Sequence, residues 1–452
     1  MKILRITLVL ALIFALVISY FPLQASAVTT APAIVRIGLY FDDVGHQGAT
    51  ELSLSGAQGM DLGTRAGGVF TAVQTFGPNE VIRLQVKDNH IQLKTSSGNV
   101  LPFNGDSVTA RPANGSQSVR LWEEGKRYRG LLEFTVVKGK LRVVNELGIE
   151  DYLYGVVPKE MSESWPREAL KAQAVAARTY VAANVGRYGA YGFDLTDDQY
   201  CQAYGAVEVE GDNSRAAVNE TKGQILTYGG QAITAVYHSN SGGYTENSEN
   251  VWTTALPYLK GAPDPYSLGV GSSKDKWEVS FGKDQLGNLI NNRLVNNGRA
   301  GIGALTGISV LETGVSGRLT RVRLEGTEGS TEIKNDLIRV YLGNLDSTLF
   351  QISRDNEIFT LGQSGSEANS LKGKYVVRGD GEVSQLGDGD RTLVGSSGTK
   401  TVGATPNKYT FKGQGWGHGV GMSQWGAYGM AKAGKGYKEI LALYFQGASL
   451  TP

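Results

Sequence analysis

The chain has 452 residues, 41% of them hydrophobic and 19% charged, and a formal net charge of +1. That excludes dominant disorder and fits about two to three packed units. So even a charge balance argues against nucleic acid as the main partner, because phosphate binding needs a basic surface. The 61 glycines follow no G-x-y period, which excludes collagen, and a single cysteine, Cys201, excludes an internal disulfide framework.

In chain order, the N-terminus reads as an export signal. Lys2 and Arg5 precede an apolar run from Ile6 to Phe21, and Ala25-Ser26-Ala27 supplies a small-x-small cleavage pattern. Residues 1–27 are therefore expected to be a signal peptide. The alternative is an uncleaved anchor, since the run approaches spanning length. Loss of Lys2 and Arg5 takes the net charge from +1 to −1. The product is expected to be secreted or extracytoplasmic, where ATP and NAD chemistry has no place.

Residues 28–127 read as a β-rich N-terminal region. Ile82, Leu84 and Val86 alternate, Asp88-Asn89 turns the chain, and Ile91 and Leu93 resume the alternation. The same pattern recurs at Leu132, Phe134 and Val136, across Lys138-Gly139, to Leu141 and Val143. An Ala-rich helix is expected from Pro166 to about residue 185, with Leu170, Ala174, Ala177 and Val181 on one face and Gly186, Gly189 and Gly192 after it. A second helix is expected over 281–294, strands over 305–342, and two short helices over 427–433 and 437–445. Between 362 and 400, 15 of 39 residues are Gly or Ser, which predicts a loop or linker with one short strand at Tyr375-Val376-Val377. The fold class is α+β: a strand-rich framework with the Ala-rich helix packed inside it, at the groove. No internal repeat is visible.

Three segments could carry chemistry. Glu160 lies in Gly155-Val-Val-Pro-Lys-Glu160-Met, expected to be a short loop whose apolar neighbours desolvate the acid and raise its pKa, as a general acid requires. The structural alternative is a surface acid at a helix start, and Glu163 and Glu168 fit that role better. The second segment is Tyr237-His238-Ser239-Asn240-Ser241-Gly242-Gly243. The third is Gly415-Trp416-Gly417-His418 through Gln424-Trp425. Amides, small residues and aromatic rings together suit a sugar, which needs stacking and hydrogen bonds. The alternative for both is a turn that needs glycine. The four histidines form no metal spacing, and no G-x-S-x-G elbow supports a serine hydrolase.

These segments, in this order, resemble the SpoIID/LytB family. The matching stretches run from Glu150 to Met161, from Trp165 to Tyr180, from Ser239 to Gly243 and from Gly415 to Gln424. The resemblance covers roughly residues 128–452, read as the catalytic domain. It implies a peptidoglycan lytic transglycosylase or a non-catalytic enhancer of an amidase. Its catalytic acid corresponds to Glu160. Ser239, Asn240, Gly242, Gly243, His418 and Gln424 are then expected to bind glycan in a groove facing Glu160. Some members carry a zinc-binding run of His and Cys after the helix. Of that set only Cys201 remains here, so no metal and no cofactor is expected. The implied partners are peptidoglycan glycan strands and other cell-wall hydrolases, in a sporulation-type setting. A glycoside hydrolase with a second carboxylate, Glu163 or Asp194, stays open.

Overall fold

A computed structural model describes residues 30–451 except 44–45, 114–117, 363–364, 370–374, 378–380, 386–390, 396–397 and 404. The expected signal peptide lies outside the described residues. The fold is α+β, and the chain divides into two compact units. One takes the chain up to Tyr237 and again from Ala427; the other is His238–Gly426.

The first unit is built on a seven-stranded sheet. Its order is Leu195–Thr196, Ile34–Tyr40, Lys140–Gly148, Leu131–Val137, Ser107–Pro112, Met60–Ala66 and Val69–Phe76. A six-stranded sheet includes the expected hairpin, with Ile82 opposite Thr95 and Val86 opposite Ile91. Asp88 and Asn89 take φ of 50° and 63°, the turn whose twist suits a two-residue hairpin. Lys138 and Gly139 turn the second hairpin in the same way, at 52° and 77°.

The helices of this unit are α1 (Ile149–Glu160), α2 (Arg167–Asn184) and α3 (Asp212–Glu220). α2 is the expected Ala-rich helix, with Pro166 just before it rather than at its first position. Alanines 169, 172, 174, 176 and 177 are fully buried, so neighbours approach α2 from several sides. Arg178, wholly buried, forks onto both carboxylate oxygens of Glu150 at 3.1 and 2.6 Å. That pair ties the first turn of α1 to the middle of α2, and such a two-pronged contact is among the stronger polar ones.

α1 corrects the expected loop around Glu160. Tyr152, Leu153, Val156 and Val157 are completely buried at helical spacing, and Ile149 nearly so. Gly155 and Pro158 hid that pattern in the sequence. Gly155 is required by a close approach: a Cβ there would lie 2.6 Å from the Tyr204 ring and 2.9 Å from Ala206 O. Pro158 sits in the last turn, and Met161 N–H still closes on Val157 O at 2.9 Å.

The second unit has its own core, which includes Trp277, Leu286, Ile290, Leu294, Val322, Leu324, Tyr409 and Phe411. α4 (Lys283–Asn296) is the helix expected at 281–294, started by Gly282 instead of Phe281, which belongs to a strand. Strand Trp277–Gly282 pairs with Lys408–Gly413, and that pairs with Phe350–Arg354. The 362–400 segment holds the expected strand Tyr375–Val377, but also strands Gly365–Asn369, Val383–Gln385 and Arg391–Gly395 in short hairpins. Gly362 faces Gly365 and Gly395 faces Gly398 at the ends of two of these hairpins. α5 (Gln424–Lys432) and α6 (Tyr437–Tyr444) match the two closing helices within a few residues.

Candidate active site

Glu160 is the last residue of α1 and is partly buried. Its Oε1 accepts the backbone N–H of Ala203 at 3.2 Å. A hydrogen bond of that kind favours the carboxylate form, so the desolvation expected from the sequence is opposed by a donor it did not reveal. The loop that supplies Ala203 is well anchored. Leu195 pairs in parallel with Ile37, and Asp198 accepts from Thr196 Oγ1 at 2.8 Å, from Tyr200 N–H at 3.0 Å and pairs with His46 Nε2 at 3.0 Å. His46 in turn stacks on Phe41, ring centres 4.2 Å apart.

The other acids near this stretch of chain have structural work. Glu163 accepts from the N–H of Asn213 at 2.5 Å and of Ser214 at 3.1 Å, the first turn of α3. Glu168 accepts from Tyr437 N–H at 2.8 Å, the start of α6, and from Lys171 at 2.7 Å. Glu168 is a first-turn charge of α2, as expected, and also caps the start of α6, whereas Glu163 is a helix-start charge for α3 rather than for α2. Asp194 accepts from Arg36 N–H at 2.9 Å and Gly186 N–H at 3.0 Å.

Residues 194–204 do not form a zinc ligand set. Burial pushes the Cys201 thiol up, against the lowering effect of Thr196 and Arg187. Among the described residues no group of three or more His, Cys, Asp or Glu converges.

The remaining six expected site residues lie in the second unit, where the two Gly-rich segments pair with each other. Asn240 N–H donates to Trp416 O at 3.0 Å and Trp416 N–H to Asn240 O at 2.8 Å. Gly415, at φ +76°, sits where a Cβ would lie 2.7 Å from Asn240 O. The Asn240 side chain is fully buried: its amide N–H groups reach Ser267 O and Asp275 Oδ1, and its Oδ1 accepts Gly242 N–H at 2.8 Å. Gly243 N–H donates to Ser241 Oγ and Ser267 Oγ, and Ser239 O accepts Trp425 N–H. Gln424, mostly buried, opens α5.

His418 Nδ1 accepts Val420 N–H at 3.1 Å, while His238 Nδ1 lies 3.1 Å from Val420 O. The two rings are 5.2 Å apart, and Trp252 is 4.8 Å from His418. Burial, His418 and Arg318 together keep His238 neutral, well below the usual imidazole range. Trp416 is 48% exposed, with Lys274 Nζ 5.4 Å from its ring centre. An open indole of this kind is a stacking platform.

Arg318 was not legible in the sequence as part of this region. It is buried and donates to Ser241 O at 2.7 Å and Gly417 O at 3.5 Å, tying both segments to one cation. Burial lowers its pKa to about 10, so it remains charged at neutral pH.

The comparisons agree with this reading of the motifs. A family model described as Stage II sporulation protein (SpoIID) matches residues 137–228, and a domain of unknown function matches 270–381. The chain belongs to the SpoIID family. It is 35% identical to the amidase enhancer of Bacillus subtilis (strain 168) over 79% of its length, spanning about half, 49%, of that protein. An uncharacterized protein of Brachyspira hyodysenteriae is 31% identical, over 72% of this chain and 73% of its own. Stage II sporulation protein D of Bacillus subtilis is 29% identical, over 68% and 76%.

Proposed function

We propose that this chain is an exported lytic transglycosylase that cleaves the β-1,4 bond between N-acetylmuramic acid and N-acetylglucosamine in peptidoglycan, in cell-wall remodelling linked to sporulation. Protonated Glu160 gives its proton to the glycosidic oxygen as the bond to C1 breaks. The resulting carboxylate takes the proton from the muramic 6-hydroxyl, whose oxygen closes on C1 to leave a 1,6-anhydro end. No water is consumed. The observation that carries the reading is the placing of the acids: Glu160 ends α1 and accepts the Ala203 N–H from the anchored 195–204 loop, while Glu163 caps α3 through the N–H groups of Asn213 and Ser214 and Asp194 accepts those of Arg36 and Gly186. A hydrolase needs two carboxyls flanking the bond. The exposed Trp416, paired through its backbone with Asn240, supplies a glycan stacking surface in the second unit.

A second reading, a non-catalytic wall-binding protein that stimulates an amidase, is favoured by the likeness to the amidase enhancer. Digestion of purified glycan strands, read by mass spectrometry, decides between them. Anhydro ends support the transglycosylase, new reducing ends the hydrolase, and uncut strands the enhancer.

A further inference from the structure

Gln202 is buried and follows Cys201 in the loop that also supplies Ala203 to Glu160. Its Nε2 reaches Ala177 O at 3.4 Å and Tyr237 OH at 3.1 Å, and its Oε1 faces Tyr152 OH at 3.5 Å. A backbone carbonyl only accepts, so Ala177 O fixes which end of the amide carries hydrogen. The direction of the chain follows. Tyr152 donates to Gln202, and Gln202 donates to Tyr237. With that hydrogen bond arriving at its oxygen, Tyr237 must send its own proton outward.

Glu160 and Tyr237 are thus held by consecutive residues, Ala203 and Gln202, of one anchored loop. We propose that Tyr237 is a positioning residue for Glu160: the Tyr152–Gln202–Tyr237 chain turns the phenolic hydrogen toward the Glu160 carboxyl and stabilises it after proton delivery. This rests on the reading of Glu160 as the catalytic acid. The phenol suits the role because it stays protonated. Burial holds it well above its ordinary range, and the Glu160 charge raises it further against the lowering effect of Gln202. The titratable groups acting on it are Glu160 and Tyr152 on α1 and Tyr180 on α2. Cys201 lies beside the two tyrosines. Together with Ala203 N–H, the phenol gives the carboxylate two donors, which suits a group that must lose a proton and then regain one within a single turnover.

The test follows the Glu160 carboxyl by ¹³C NMR titration, its resonance assigned with Glu160→Gln. Tyr237→Phe keeps the ring and removes one donor, so the midpoint rises by about 0.5–1 pH unit, with the melting temperature little changed. Gln202→Met leaves the hydroxyl but releases its orientation, and gives a smaller rise. In a chain that cleaves glycan, the alkaline limb of kcat/KM moves up with the midpoint. Midpoints that stay put or fall in both variants overturn the assignment. So does an equal loss of rate at every pH, the mark of a merely structural tyrosine. A wild-type chain that cuts no glycan defeats the transglycosylase reading instead, and the titration still decides the place of Tyr237.

Discussion

Three carboxylates within nine residues, Glu160, Glu163 and Glu168, look alike in the sequence and have different partners in the fold. Glu160→Gln is expected to lower glycan cleavage by about 10²–10⁴ while melting as wild type does. The amide oxygen still accepts Ala203 N–H but the group no longer moves a proton. Glu163→Gln keeps its activity per folded molecule and loses about 1 kcal/mol, because it weakens the cap on α3. A pairing of the opposite kind, with Glu163→Gln inert and Glu160→Gln active, moves the catalytic assignment three residues along. Asn240 shows how burial changes an expectation. From the sequence it reads as a glycan contact whose removal leaves stability alone. Its buried side chain satisfies Gly242 N–H and reaches two acceptors, Ser267 O and Asp275 Oδ1, so Asn240→Ala is expected to cost about 1–3 kcal/mol, read as a lower melting temperature. An unchanged melt with weakened cleavage would return it to the binding surface.

At the scale of elements, α1 depends on Gly155. Adding one methyl there drives it into the Tyr204 ring, so Gly155→Ala is expected to destabilise by about 1–3 kcal/mol despite alanine's better helix propensity. Denaturant unfolding checks it, and a stabilised variant would mean that Tyr204 moves freely. The loop opposite α1 carries a pH dependence. Burial, then the charge of Glu124, raises the Asp197 carboxyl to about 7, against the lowering effect of Lys126. The native state therefore binds a proton that the unfolded chain releases near pH 4. Its stabilising effect is complete below that pH and is lost as pH rises through about 7. Asp197→Asn removes the loss. The variant should melt like wild type at pH 4 and above it at pH 8, by on the order of 2 kcal/mol. A difference that is constant with pH would assign the effect to packing.

Over the whole molecule, the site loop is held by protein groups. His46 with Asp198, the parallel pairing of Leu195 and the amide of Gln202 fasten residues 195–204. Chelation is therefore expected to leave both glycan cleavage and the melting temperature unchanged. A fall in both, restored by zinc, would show that histidines act as ligands.

The sequence by itself determined the two-residue hairpins, α2, α4 and the order of the three motifs. These follow from local rules: alternation, glycine and asparagine at positive φ, and a 3.6-residue apolar repeat. It also marked Glu160 through its resemblance to the SpoIID family. It misjudged α1, because Gly155 and Pro158 read as breakers when only a distant segment, Tyr204–Ala206, explains the glycine. The 362–400 strands escaped for a related reason, since hairpin pairing is a contact between residues whose composition alone predicts a loop. Arg318, Gln202 and Tyr237 were decided only by tertiary structure. Their roles depend on which carbonyl or amide lies across from them, over separations of up to 99 residues, and no local pattern encodes a hydrogen bond to a backbone atom that far along the chain.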